Sequence, residues 1–368
     1  MFREAPYLIS AASVAGSKEA DGPIGKLFDV TDKDDLFGAQ TWEEAESNMQ
    51  KEACVLAAGK AHVDLKKIRY LFGGDLLRQG IATSMGVEAL QIPMFGLYGA
   101  CSTSGEALAL ASMSAAAGYG GTMIAVTSSH FGSAEKEFRF PLGYANQRPL
   151  SSHWTVTGSG AFLVQSAEEY RKQNTKSYFS NIRITGVTVG KIVDYGLKDS
   201  QNMGACMAPA AMDTIVQNFQ DMERKEKDYD RIITGDLGSI GRTILFDLIR
   251  EKGYDICEKH MDCGMTIFDK ERQDTHAGGS GCGCAAVTLA SYVLPKLEKG
   301  EWKRVLFVPT GALMSTVSFN EGASVPELFW KAMHSIRKLK SKKIEGKMIK
   351  ARRMSRVEKR KGETKWIM

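Results

Sequence analysis

The tripeptide Gly74-Asp75-Leu76 returns 161 residues later as Gly235-Asp236-Leu237, each time closing an apolar run that follows an amphipathic stretch and a charged loop. The echo extends further: Leu-Ala-Ser at 110–112 matches Leu289-Ala290-Ser291, and superposing those serines sets Cys101 opposite Ser280. Such a chain is expected to fold as two similar halves, 1–168 and 169–326. Two unrelated α/β domains would explain the layering but not the matched positions.

The pattern along the chain is apolar strands followed by helices. Short apolar pieces such as Tyr7–Ser10 open it, and Thr41 with Glu44 forms a capping-box signal for a long helix. Strands are expected at Ile68–Phe72, Ile92–Tyr98, Thr122–Thr127 and Gly160–Gln165, with an irregular polar-aromatic segment over 131–153. The second half offers Ile182–Val189, Asp230–Thr234, a short extended Met265–Phe268 and Val305–Val308. Its helices are expected over Ala208–Met222, with Pro209 in the first turn, and from the glycine-rich turn 278–283 to about Leu297. Apolar strand interiors alternating with helices imply mostly parallel sheets covered by helices, with ligands at the carboxyl ends of strands. Asp75, Cys101, His130, Asp236 and the 276–284 turn all occupy that kind of position.

Several function classes lose their support here. No uninterrupted apolar run reaches the ~20 residues of a membrane span, and the first residues lack a signal-peptide pattern. Seven cysteines in 368 residues form no disulfide framework and suggest a reducing compartment. Cys282-Gly283-Cys284 has no second pair at zinc spacing, Gly278–Gly283 is not closed by Gly-Lys-Ser/Thr, and no EF-hand loop is present. No metal site and no cofactor are therefore expected. The net charge of +5 hints at nucleic acid, but residues 327–368 carry 15 basic and 4 acidic residues. The remaining 326 residues carry 33 basic and 39 acidic ones, a net of −6, so the body is no nucleic-acid binder.

Cys101 is the sharpest chemical signal. It follows an apolar strand and Gly99-Ala100, and it opens a helix of small residues. Backbone donors and the positive helix end at such a place favour a thiolate able to attack a thioester. A small buried residue that lets helix and sheet approach is the plainer reading.

Gly99-Ala100-Cys101-Ser102-Thr103-Ser104 resembles the nucleophile turn of the thiolase-fold condensing enzymes, whose two halves match in topology. A closer resemblance is to the stage V sporulation protein AD family. It rests on Leu97–Ser104, Thr127–His130, 154–158, Met207–Ala211, Thr234–Leu237 and, most specifically, Ala277-Gly278-Gly279-Ser280-Gly281-Cys282-Gly283-Cys284-Ala285. The resemblance covers about residues 6–326 and implies an α/β thiolase-like fold, layered α-β-α-β-α.

The ketoacyl synthase III branch uses a Cys-His-Asn arrangement. Its histidine position is occupied here by Asp236-Leu237-Gly238, and its asparagine position falls near Ser280-Gly281. A carboxylate repels the charge of a thioester enolate, which a neutral imidazole stabilises. His276 or His130 would have to substitute, with His153 a further candidate, for Cys101 to act as an acyltransferase or condensing nucleophile. The sporulation family instead implies binding of dipicolinic acid, pyridine-2,6-dicarboxylate, and its movement with calcium into and out of the spore. Such a planar dianion calls for an apolar slot with convergent donors. The candidates are Cys101, Ser102, His130, Arg139, Arg148, Lys191, Asp236, Gly279, Ser280 and Gly281, with Trp154 nearby. Arg139 and Lys191 read equally well as solvated surface residues, and His130 as a strand cap. Calcium would arrive as the dipicolinate complex. The implied partners are other stage V sporulation membrane proteins and a second copy of the chain, at the cytoplasmic face of the forespore or spore inner membrane.

In the family an apolar strand follows one like 305–308, whereas here Pro326 gives way to Lys/Arg-dense sequence. That switch resembles a reading-frame change. It predicts a lost final strand and a solvated basic tail over 327–368.

Overall fold

The computed structural model describes residues 1–138, 143, 147–172, 178–315, 317–318, 321–325 and the backbone of 332–338. In chain order the strands are β1 (Tyr7–Ala15), β2 (Val30–Thr31), β3 (Tyr70–Gly74), β4 (Met94–Gly96), β5 (Thr122–Ser129), β6 (Trp154–Thr155) and β7 (Gly158–Gln165). They continue with β8 (Ile182–Val189), β9 (Arg231–Thr234), β10 (His260–Asp262), β11 (Gly279–Ser280), β12 (Arg304–Val308) and β13 (Ala332–Lys338).

Strand pairing makes the duplication explicit. In the first half β1 runs antiparallel to β7 and β7 antiparallel to β5, while β5, β3 and β4 are parallel. In the second half β8 runs antiparallel to β13 and β13 antiparallel to β12, while β12, β9 and β10 are parallel. Order and sense are the same. The two sets join where Tyr7 of β1 pairs with Arg183 of β8.

Helices Trp42–Lys60 and Ile81–Glu88 cover the outside of the first sheet, and Met203–Asp221 with Gly238–Glu251 cover the second. Between the sheets lie Thr103–Ala116 and the run Cys282–Lys299, which includes a π-helical turn at Leu289–Val293. The result is a thiolase-like fold of five α-β-α-β-α layers. The middle layer explains the small residues: a Cβ on Gly160 of β7 would lie 2.7 Å from the Cβ of Ala286, so only glycine lets that helix rest on the sheet. Leu108, Ala111 and Ala115 on one central helix and Val287, Leu289 and Val293 on the other are buried in one core. Burying a side chain such as Leu108 contributes about 1.5–3 kcal/mol.

Thr41 caps the helix Trp42–Lys60 by accepting from Glu44 N at 3.2 Å, while the Glu44 carboxylate reaches Gln40 N at 3.1 Å, one residue earlier than in a standard box.

Other segments differ from the sequence reading. Met265–Phe268 is not extended: Cys263–Ile267 is a short helix because Asp262 Oδ1 accepts from Met265 N at 3.1 Å. The 203–221 helix starts early enough to place Pro209 in its interior rather than in its first turn. Phe131–Phe138 is a helix within a segment expected to be irregular. The expected loss of a final strand is also corrected. Residues 332–338, assigned above to the tail, form β13, whose backbone fills the place between β12 and β8 that β7 fills between β5 and β1. The site between two strand edges accepts any extended backbone, whatever its composition. Met1–Lys338 form one compact unit.

Candidate functional site

The turn before the first central helix is built on an unusual backbone. Ala100 has φ of 49°, Ser102 N donates to Gly99 O at 3.0 Å, and Thr103 N donates to Ala100 O at 3.1 Å. The Thr103 hydroxyl locks the turn further, accepting from Gly99 N at 2.9 Å and donating to Ala100 O at 2.7 Å. Cys101 is thereby presented between the two halves. Gly311, just beyond β12, packs on this turn so closely that a Cβ there would stand 3.2 Å from Cys101 N and 2.7 Å from Gly99 O.

Cys101 opens onto a narrow cavity of about 30 Å³. Apolar walls come from Leu76, Ala134, Phe138, Met203, Ala312 and Met314, and polar groups from Tyr98, Glu135, Thr155 and Ser280. No Lys, Arg or His lines it among the described residues. Glu135 is buried and its Oε1 accepts from the Thr155 hydroxyl at 3.0 Å. Tyr98 donates to Leu76 O at 3.1 Å.

Across the cavity floor, Cys101 Sγ lies 3.6 Å from Ser280 Oγ. Ser280 in turn donates to Asp236 Oδ2 at 3.0 Å, and Gly281 N donates to the same oxygen at 3.1 Å. Thr310 donates to Asp236 Oδ1 at 2.9 Å. Behind Asp236, Asp262 holds the loop 234–238 by accepting from the Thr234 hydroxyl, Leu237 N and Gly238 N. Burial raises the Asp262 carboxyl to about 6 against the pull of those donors.

The thiolate expected from the helix start is not favoured. Burial, then the neighbouring Asp236 charge, push the Cys101 thiol well above its ordinary value. A helix end contributes about 0.3–1 kcal/mol, and the loss of water from a buried sulfur outweighs it.

The other sequence candidates separate clearly. Ser102 is buried behind Cys101 with its hydroxyl on Gly99 O, and Gly279 and Gly281 form the turn holding Ser280. His130 is not at the cavity: its Nδ1 accepts from Gly132 N at 3.0 Å, which leaves Nε2 to donate to Asp35 O at 2.7 Å. Burial also lowers its pKa. His276 binds Pro149 O at 2.8 Å and faces Asp274 at 3.0 Å, held by the 147–152 segment away from Cys101. Arg148 pairs with Asp274 at 3.1 Å and lies over the Trp154 ring. Lys191 is a surface ion pair with Asp213 at 3.0 Å. His153 is buried against Gly238. Trp154 stacks on Phe131 at 4.0 Å and does not line the cavity. Arg139 lies outside the described residues. The sequence reading missed Glu135, Thr155 and Thr310. Thr310 carried a signal, since it follows β12 as Asp236 follows β9.

This architecture is similar to that of solved condensing-enzyme structures. Cerulenin-bound OleA from Xanthomonas campestris superposes with a TM-score of 0.57 at 13% identity, covering 92% of this chain and 100% of that one. The 3-oxoacyl-[acyl-carrier-protein] synthase III of Aquifex aeolicus gives a TM-score of 0.53 at 12% identity, over 90% and 99%. At such identities the likeness establishes the fold. The sequence relationship is closer elsewhere: stage V sporulation protein AD of Bacillus subtilis is 39% identical over 328 residues, which span 89% of this chain and 94% of that protein. A sequence model of the family described as stage V sporulation protein AD matches residues 1–334. The chain therefore belongs to the stage V sporulation protein AD family.

Proposed function

We propose that this protein binds dipicolinic acid in the Cys101 cavity and supports its transport into or out of the spore together with stage V sporulation membrane proteins. The observation that carries this reading is a slot between two helix starts that keeps a thioester-type nucleophile but holds it as a thiol, with Asp236 and Ser280 beside it. A sulfur held in this way is suited to lining a binding site rather than to forming a bond with the ligand. The described lining has no basic side chain, and the named backbone donors at the two turns are bonded within the protein, so the ligand's charge is met by calcium bound to the ligand's own oxygens. No helix among the described residues is long and apolar enough to cross a membrane, which fits a role beside membrane partners.

Titration calorimetry with dipicolinate, with and without calcium, tests the reading. Saturable binding is expected, weakened at least tenfold by Cys101→Phe, which fills the slot. Absence of heat under both conditions would refute it. Incubation with an acyl thioester is expected to leave Cys101 unmodified. Acylation with turnover would replace binding with transferase chemistry.

A further inference from the structure

We infer that Asp236 is the positioning residue that withholds Cys101 from covalent chemistry, because the chain Cys101–Ser280–Asp236 makes the sulfur a hydrogen-bond donor.

The geometry assigns each hydrogen. The Asp236 carboxylate is acceptor-only and takes the Thr310 hydroxyl on one oxygen and Gly281 N and the Ser280 hydroxyl on the other. Ser280 has one hydrogen, and it is committed to Asp236. Toward Cys101 the Ser280 oxygen therefore offers lone pairs, and the 3.6 Å contact is satisfied by an S–H donor. A thiolate in the same place would face those lone pairs, with the carboxylate directly behind them. Asp236 cannot turn away, because Gly281 N and Thr310 hold it from two different loops.

The groups around the sulfur reinforce this. Tyr98, Ser280 and Glu135 line the same cavity, and Cys282 belongs to the same apolar cluster as Cys101. Glu46 and Asp75 lie close enough to Cys282 to push its thiol up as well. Among the described residues, the titratable groups that line the cavity or share the Cys101 cluster are acids. Burial disfavours the thiolate first, and the Asp236 charge acts in the same direction.

The inference rests on the same buried thiol as the dipicolinate reading, but its readout is alkylation rather than ligand binding, so the failure of one is distinguishable from the failure of the other. The test is the pH-rate profile of iodoacetamide alkylation at Cys101, followed by mass of its peptide, in the full chain. Wild type is expected to react at pH 8 at least tenfold more slowly than a free cysteine peptide. Asp236→Asn keeps the acceptor for Thr310 but removes the charge, and is expected to speed alkylation at least threefold and move the profile to lower pH. Ser280→Ala removes the lone pairs that face the sulfur but leaves the carboxylate charge, and is expected to speed alkylation by less than Asp236→Asn does. An Asp236→Asn profile superimposable on that of wild type overturns the inference. So does a wild-type Cys101 as reactive as the free peptide, a result that needs no variant to fold.

Discussion

Cys101 and Ser280 occupy equivalent positions in the two halves, each in the turn before a central helix, and they meet at 3.6 Å. The candidate site therefore lies where the duplicated units face one another. Each contributes a helix start, and each has an aspartate after its matching strand. Asp236 is bonded to the site, whereas Asp75 turns inward and accepts from Leu77 N at 2.8 Å and from Thr83. The two halves share strand order and sense, and they use their matching aspartates differently.

The Gly281 position depends on the absence of a side chain. Its φ is 105°, and a Cβ there would lie 2.5 Å from Ser129 Oγ. Gly281→Ala is expected to cost about 1–3 kcal/mol and to weaken ligand binding by moving Ser280. Gly118, with φ of 83° and open space around it, is the control. Gly118→Ala is expected to cost about 1–2 kcal/mol with binding unchanged. Thermal melts and calorimetry on both variants check this.

Stability is expected to carry an acidic signature. Burial holds the Glu19 carboxyl at about 8, and burial with the Asp75 charge holds Glu46 at about 8, against 4.5 for a free group. A raised folded-state value means that the stabilising contribution is complete below about 4.5 and is lost as pH rises towards 8. Glu19→Gln and Glu46→Gln should each flatten the fall in melting temperature between pH 5 and pH 8 relative to wild type. Parallel wild-type and variant profiles would contradict the assignment.

The role of β13 gives a contrast between two truncations. Ending the chain after Pro326 removes the strand between β12 and β8 and exposes two strand edges within the sheet. That variant is expected to lose cooperative unfolding and become protease-sensitive. Ending it after Lys338 keeps β13 and is expected to leave the melting transition within a few degrees of wild type. Circular dichroism melts and limited proteolysis distinguish the two.

The edge strand β4 bears on the proposed homodimer. Met94 and Phe95 are exposed, Phe95 at 51%, although Phe95 also stacks on the core residue Phe72. An apolar edge of this kind suits pairing with a second copy. Light scattering is expected to report a dimer for wild type and a monomer for Phe95→Glu; a monomeric wild type would exclude the dimer.

The duplication, the strand–helix order and the Cys101 and Ser280 turns were all legible in the sequence. They depend on local signals: apolar runs, glycines at sharp turns and small residues in a helix. The Thr41 cap and the strand Ile182–Val189 were readable for the same reason. The helix Phe131–Phe138, which brings Ala134, Glu135 and Phe138 to the cavity, was not, because its polar residues are buried by contacts distant in sequence, such as Thr155 on Glu135. Histidine and arginine positions misled for a related reason. His130, His276 and Arg148 are the right chemical types, but their hydrogen bonds go to Asp35, Pro149 and Asp274.

By itself the sequence determined the two-fold α/β plan and the identity of the groups at both helix starts, since periodicity and turn chemistry are local properties of the chain. Only the tertiary structure decided that Cys101 is a buried thiol governed by Ser280 and Asp236, and that residues 332–338 complete a sheet. Desolvation, charge proximity and strand pairing depend on what the fold brings together across as many as 179 residues of chain.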